Sequence, residues 1–126
     1  MLVIHFDTSF LIAATLAGSP AHTRVQAWSA AGESFGISVI AWSEFLCGPL
    51  DSTTEAMARQ LFPQPVPFLV EDGVTAARLF NQTGRRSRSL ADCMIAAVAM
   101  RCGASLATMN RDDFQPLARL GLAVAG

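Results

Sequence analysis

The alternation of apolar runs with polar breaks along the chain predicts short buried strands separated by helices. Five apolar runs are too short for a helix, and we expect strands at Leu2–Phe6, Phe35–Ser38, Phe68–Val70, Ser105–Thr108 and Leu122–Val124. Longer apolar or amphipathic segments, most of them ending near Gly or Pro, predict helices over 9–17, 20–31, 40–47, 51–62, 72–80, 90–101 and 114–119. This order predicts an α/β fold in three layers, with a mostly parallel, roughly five-stranded sheet between helices.

Composition narrows the class of protein. The 126 residues are enough for a single domain over 1–126, and 52% hydrophobic against 15% charged residues excludes intrinsic disorder. All nine basic residues are Arg, so a P-loop lysine and a Schiff-base lysine are excluded. The three cysteines show no C-x-x-C spacing, and no apolar run approaches the length of a membrane span. We therefore expect a reduced, cytoplasmic domain without a membrane segment.

Acidic and amide side chains fall where the predicted strands end. Asp7 follows the first strand, Glu44 lies about one helical turn past the second, and Asp92 lies in the helix before the fourth. Asn110 and Asp113 follow that fourth strand. Because the carboxyl ends of parallel strands share one edge of a sheet, we expect these side chains to lie near one another. Clustered carboxylates repel one another unless a cation lies between them, and oxygen ligands favour Mg²⁺ or Mn²⁺ over zinc.

Each of these residues also has a purely structural interpretation. Asp7 is a possible helix N-cap, Glu44 a solvated helix position, and Asp113 a residue of a loop or helix cap. Asp92 has the spacing of a capping box with Ser89. Cys93–Met100 contains no polar side chain, however, which predicts a buried helix in which the Asp92 carboxylate needs a partner.

Four sequence blocks span nearly the whole chain: Val3-Ile-His-Phe-Asp-Thr-Ser-Phe-Leu, Ile37-Ser-Val-Ile with Glu44-Phe-Leu-Cys-Gly, Ser89-Leu-Ala-Asp-Cys-Met-Ile-Ala-Ala and Leu106-Ala-Thr-Met-Asn-Arg-Asp-Asp-Phe. In their order and rough spacing, these blocks together resemble a PIN-domain ribonuclease, specifically a VapC-type toxin of a bacterial toxin–antitoxin pair.

The resemblance implies hydrolysis of RNA phosphodiester bonds with Mg²⁺ or Mn²⁺ as cofactor. Asp7, Glu44 and Asp92 match the three main acidic positions of the family, both as catalytic residues and as metal ligands. The fourth position is Asn110, an amide, or Asp113, the acid before Phe, and the sequence leaves this choice open. Thr8 matches a small hydroxyl position that orients a neighbouring carboxylate. The resemblance also implies a homodimer and a VapB-type antitoxin as partner.

Arg85, Arg86 and Arg88 form a basic cluster shortly before the predicted helix that carries Asp92. Guanidinium groups match phosphate in geometry and charge, so we expect this cluster to contact RNA; the alternative is a solvated loop. Two further functions remain open: a catalytically weakened PIN-like module that binds RNA or protein, favoured by the amide at Asn110, and a PIN nuclease without an antitoxin. We assign His5 no catalytic role and expect a hydrogen-bonded core residue.

Overall fold

The computed structural model describes residues 2–83 and 90–126, and within them strands and helices alternate as an α/β fold. The four strands of this part of the chain are β1 (Val3–Phe6), β2 (Ser34–Ile37), β3 (Ser105–Ala107) and β4 (Ala123–Val124). Its seven helices are α1 (Thr8–Ala14), α2 (Pro20–Ala30), α3 (Val39–Leu46), α4 (Ser52–Leu61), α5 (Val70–Gln82), α6 (Leu90–Arg101) and α7 (Arg111–Ala118). None of the described helices is long and apolar enough to cross a membrane.

The strands form one sheet in the order β2-β1-β3-β4, and every neighbouring pair is parallel. Phe6, the last residue of β1, pairs with Ile37 on one side and Ala107 on the other. The segments that follow β1, β2 and β3 therefore start side by side at one edge of the sheet. This edge is where the sequence predicted the acidic residues to gather.

The prediction of a fifth strand at Phe68–Val70 is wrong. The nearest β pairing to this segment is an isolated parallel bridge between Val66 and Ser38, the residue after β2. Val70 is instead the first residue of α5, because the carboxylate of Asp72 accepts a hydrogen bond of 2.8 Å from the backbone N–H of Leu69. Asp72 thus satisfies a donor at the start of the helix that would otherwise have no partner.

Helices pack on both faces of the sheet, as the three-layer prediction requires. On one face, the ring of Phe6 contacts Phe10 of α1 and Phe62 after α4, at centroid distances of 4.9 and 5.1 Å. Side chains alternate along a strand, so His5 points to the opposite face. There it lies over Gly36, where a Cβ atom would come within 2.8 Å of the imidazole ring.

His5 is almost completely buried, with 2% of its surface exposed. Its Nδ1 atom has no hydrogen-bond partner within the described residues, so the expectation of a hydrogen-bonded core histidine is wrong for this nitrogen. Burial and, to a lesser extent, the positive charge of Arg101 together lower the pKa of His5 from 6.5 to about 4. The fold therefore holds this imidazole in its neutral form.

An ion pair joins α5 to α6 on the His5 face. Arg101 Nε donates to both oxygens of Asp72, at 2.8 and 3.1 Å, and its Nη2 donates to the backbone oxygen of Pro67 at 2.8 Å. Burial raises the pKa of Asp72, but the hydrogen bonds from Arg101 and Leu69 and the charge of Arg101 outweigh it, so the pKa is lowered overall. Asp72 thus both starts α5 and attaches it to α6.

We expect Asp72→Asn to lower the melting temperature by roughly 5–10 °C, because Arg101 loses its charged partner beside a buried site. Thermal unfolding followed by circular dichroism at neutral pH measures this change. The matched control is Glu55→Gln, which breaks the exposed ion pair between Glu55 and Arg59 on α4. The control should move the midpoint by little, since exposed pairs contribute little to stability. Equal shifts in the two variants would contradict the role given to Asp72.

Candidate active site

Asp7 is the most buried acidic side chain at the carboxyl edge of the sheet, with 4% of its surface exposed. Its backbone N–H donates to the carbonyl of Ala107 at 3.0 Å, which fixes it beside the end of β3. Its Oδ1 accepts the backbone N–H of Phe10 at 2.7 Å and so caps the start of α1. Asp7 is therefore both the N-cap of α1 and a carboxylate at the carboxyl edge of the sheet, so the two interpretations of this residue do not exclude each other.

Two hydroxyl groups complete the environment of the Asp7 carboxylate. Ser9 Oγ donates to Oδ1 at 2.8 Å, and Thr108 Oγ1 donates to Oδ2 in a short hydrogen bond. Oδ1 thus has two hydrogen-bond donors, whereas Oδ2 has one. Since each carboxylate oxygen has two lone pairs, the acceptor position left on this carboxylate is on Oδ2.

The electrostatic environment of Asp7 disfavours its negative charge. Burial raises the pKa of Asp7 above its ordinary value, and the nearby charge of Glu44 raises it as well. The hydrogen bonds from Thr108, Phe10 and Ser9 offset only part of this effect. A cation at this carboxylate would compensate both the burial and the repulsion.

Glu44 lies on α3, and its exposed side chain is joined to α1 by a hydrogen bond. Thr8 Oγ1 donates to Glu44 Oε1 at 2.7 Å. α3 starts at the end of β2, where Ser38 caps it by accepting the backbone N–H of Ala41 at 3.1 Å. The contact gives Thr8 the geometry of the carboxylate-orienting residue that the sequence predicted.

One cavity of about 250 Å³ brings most of the predicted site residues together. The residues that line it are Asp7, Thr8, Ser9, Ile12, Glu44, Asp92, Ile95 and Asn110. Asp92 is half-buried on α6, and the helix continues as the buried segment that its apolar sequence predicted.

Asp113 is not among the residues that line this cavity. It lies on α7 and lines a neighbouring depression together with Asn110, Arg111 and Asp112. Asn110 is common to both depressions. Of the two candidates for the fourth position, the structure therefore brings Asn110 to Asp7, Glu44 and Asp92. The predicted RNA contacts Arg85, Arg86 and Arg88 lie outside the described residues.

The donor set of the cavity fits a hard divalent cation held in an open site. Within the described residues, no three His, Cys, Asp or Glu side chains are close enough to hold a metal ion by themselves. Mg²⁺ does not need such a cage, because it keeps several water ligands and is commonly bound through one or two carboxylates. Three carboxylates and one amide around a single cavity, with an acceptor position left on Asp7, meet this requirement.

Sequence reasoning missed Ser9 and Thr108 as residues of this site. Thr108 is buried and, like Asp7, comes directly after a strand of the sheet. Its position could have been found from that parallel, because Asp7 and Thr108 follow neighbouring strands. Ser9 gives no comparable signal, since its contacts depend on the turn into α1.

The PIN domain family profile matches residues 4–120. The chain therefore belongs to the PIN domain family. A comparison with curated protein sequences finds no significant match.

The fold is similar to several solved structures of toxin–antitoxin systems. VapBC2 from Rickettsia felis, bound to a DNA fragment from its promoter, matches with a TM-score of 0.75 at 14% identity, covering 98% of each chain. A toxin–antitoxin complex from Klebsiella pneumoniae matches with a TM-score of 0.70 at 26% identity, covering 89% of this chain and 90% of the other. VapC20 from Mycobacterium tuberculosis, a toxin that cleaves the sarcin–ricin loop, matches with a TM-score of 0.69 at 18% identity, covering 97% of this chain and 98% of the other. The predicted resemblance to VapC-type PIN domains is thus confirmed.

Proposed function

We propose that this protein is a Mg²⁺- or Mn²⁺-dependent ribonuclease that acts as the toxin of a toxin–antitoxin pair. The observation that carries the proposal is the single cavity that Asp7, Glu44, Asp92 and Asn110 line in a PIN domain. The raised pKa of Asp7 supports it, because the site holds a buried carboxylate whose charge needs compensation.

The carboxylates have different surroundings, and we assign them different tasks. Asp7, through Oδ2, and Asp92 would hold the cation, with Asn110 as a weaker neutral ligand. Glu44 is exposed and held by Thr8, so it would accept a proton from the attacking water. A divalent cation in this cavity would lower the pKa of bound water and neutralise charge on the phosphate. No covalent nucleophile is needed, and we expect products with 5′-phosphate and 3′-hydroxyl ends.

The proposed partners are an antitoxin and a second copy of the chain. A VapB-type antitoxin is supported by the similar structures, which include a VapBC complex and another toxin–antitoxin complex. Exposed apolar side chains support the need for partners: Val70 is 90%, Val74 65% and Leu16 62% exposed. Arg85, Arg86 and Arg88 remain proposed RNA contacts on the basis of their sequence position.

Cleavage of a labelled structured RNA, with Mg²⁺, Mn²⁺ or EDTA, tests the proposal. We expect cleavage with either metal, none with EDTA, and a rate at least about 100-fold lower in Asp92→Asn, which loses a charged ligand. The matched control is Asp51→Asn. Asp51 is exposed and caps α4 through the N–H of Thr54 at 2.7 Å, a task that Asn also performs. This variant should cut at the wild-type rate.

The outcomes separate the two candidate functions. RNA binding without metal binding or cleavage would favour the PIN-like binding module, for which the amide at Asn110 is the supporting feature. Cleavage that persists in EDTA would contradict a metal-dependent mechanism. Equal loss of activity in Asp51→Asn and Asp92→Asn would show that the effect is not specific to the cavity.

A further inference from the structure

The hydroxyl groups of Ser9 and Thr108 connect Asp7 to the segment that carries Asn110. Each hydroxyl donates its single proton to a different oxygen of Asp7. Each also accepts a backbone N–H from the segment after β3: Met109 N–H donates to Ser9 Oγ at 3.2 Å, and Asn110 N–H donates to Thr108 Oγ1 at 3.0 Å. The carboxylate and the backbone are therefore joined by two parallel two-step links.

The direction of these hydrogen bonds makes the backbone N–H groups of Met109 and Asn110 depend on the Asp7 carboxylate. A hydroxyl has one proton, so while it is donated to Asp7 only the oxygen lone pairs remain for the backbone N–H groups. If the Asp7 acceptor is removed, each hydroxyl is free to rotate, and the N–H groups of Met109 and Asn110 lose an oriented acceptor. Neither N–H contacts the Asp7 carboxylate itself. The hydrogen-bonded path from the Asp7 carboxylate to either N–H therefore runs through a hydroxyl.

The two links also determine which oxygen of Asp7 keeps an acceptor position for a cation. Ser9 and the backbone N–H of Phe10 occupy Oδ1, and Thr108 occupies one position on Oδ2, which leaves a single acceptor position. Asn110 lines the same cavity, and its backbone is held by Thr108. The Asn110 amide binds a hard cation less strongly than a carboxylate would. Its contribution to cation binding therefore depends on Thr108 holding the Asn110 backbone in place.

We infer that Ser9 and Thr108 are positioning residues that order the Asp7 carboxylate and the backbone of Asn110 as one unit. The inference goes beyond the proposed function. Only its second test, which measures Mn²⁺ binding, rests on the proposed function. Its primary observable needs neither metal nor RNA: the protection of the Met109 and Asn110 amides depends on Asp7.

Amide hydrogen exchange of the metal-free protein, followed by NMR, is the first test. We expect Asp7→Ala to speed exchange at both Met109 and Asn110 by about three- to tenfold, the loss of one modest hydrogen bond at each. Ser9→Ala should act mainly on Met109, and Thr108→Val mainly on Asn110. The matched control is Glu44→Ala, which removes a carboxylate of the same cavity that contacts Thr8 instead. If Asp7→Ala leaves both amides as protected as in wild type, the inference is overturned.

Mn²⁺ binding is the second test, and it uses a conservative pair at one position. Thr108→Val keeps the shape but removes the hydroxyl, and we expect Mn²⁺ to bind about tenfold more weakly. Thr108→Ser keeps the hydroxyl and should restore the wild-type affinity and the Asn110 protection. Weakened binding in both variants would assign Thr108 a packing role only. If Thr108→Val does not fold, Ser9→Ala, whose side chain is only half-buried, still tests the other link.

The inference and the proposed function fail in different ways. A protein that cuts no RNA but shows the exchange pattern contradicts the nuclease and supports the coupled unit. A metal-dependent nuclease in which Asp7→Ala leaves both amides protected keeps the proposed function and overturns the inference.

Discussion

Asp7→Asn is expected to lower RNA cleavage strongly and, at the same time, to leave the metal-free protein close to wild type in stability. Activity should fall by about 10²–10³-fold, because an amide replaces the buried carboxylate that we propose holds the cation. Stability should change little, because two effects offset each other. Asn has one side-chain oxygen in place of two, so one hydroxyl loses its acceptor, but the substitution also removes a charge that burial and Glu44 make unfavourable in the fold. Asn also preserves the cap of α1. Cleavage rates and metal-free melting temperatures near pH 8 measure the two effects.

Added Mn²⁺ supplies the control for this prediction. At 100 times its dissociation constant, a cation that binds only the folded state adds about 2.7 kcal/mol of stability. Wild type should gain this stabilisation, whereas Asp7→Asn should gain little. A variant that melts well below the metal-free wild type would show that Asp7 is mainly a structural residue. Equal stabilisation of both proteins by Mn²⁺ would place the cation elsewhere.

The second large effect is a loss of stability in mild acid that depends on His5. Its pKa is about 4 in the folded protein against 6.5 as the ordinary value, so between these pH values the unfolded chain binds a proton that the folded chain excludes. Stability is therefore fully present above pH 6.5 and falls as the pH decreases toward 4, by about 3 kcal/mol in total. Denaturant unfolding at a series of pH values measures the slope.

The variant His5→Leu isolates this contribution. Its side chain fills a buried site without a titrating group, so the loss of stability between pH 6.5 and 4 should shrink relative to wild type. The comparison has to be made as a difference, because the raised pKa of Asp7 contributes with the opposite sign as the pH falls. The matched control is His22→Gln, which keeps His5, and a slope reduced equally in both variants would contradict the assignment to His5. An unchanged slope in His5→Leu would contradict the assignment.

The sequence by itself determined the α/β order, four of the strands and the acidic residues at the ends of β1 and β2 and on α6. These features follow from local patterns, such as short apolar runs and an apolar helix after Asp92. The tertiary structure decided three matters that contacts between distant residues control. The first is the start of α5. An apolar run indicated a strand at Val70, but the helix begins there, and Asp72 in its first turn is paired with Arg101, 29 residues away.

The other two matters concern the site. Which of Asn110 and Asp113 lines the cavity depended on where α7 begins. Because α7 starts at Arg111, it carries Asp113 away from the cavity and leaves Asn110 at its edge. The roles of Ser9 and Thr108 depended on the parallel pairing of β1 with β3, which brings Thr108 to Asp7 across 101 positions of sequence. Local patterns determine which elements form, whereas hydrogen bonds between strand ends decide which side chains meet, and the second kind of information is not local in the sequence.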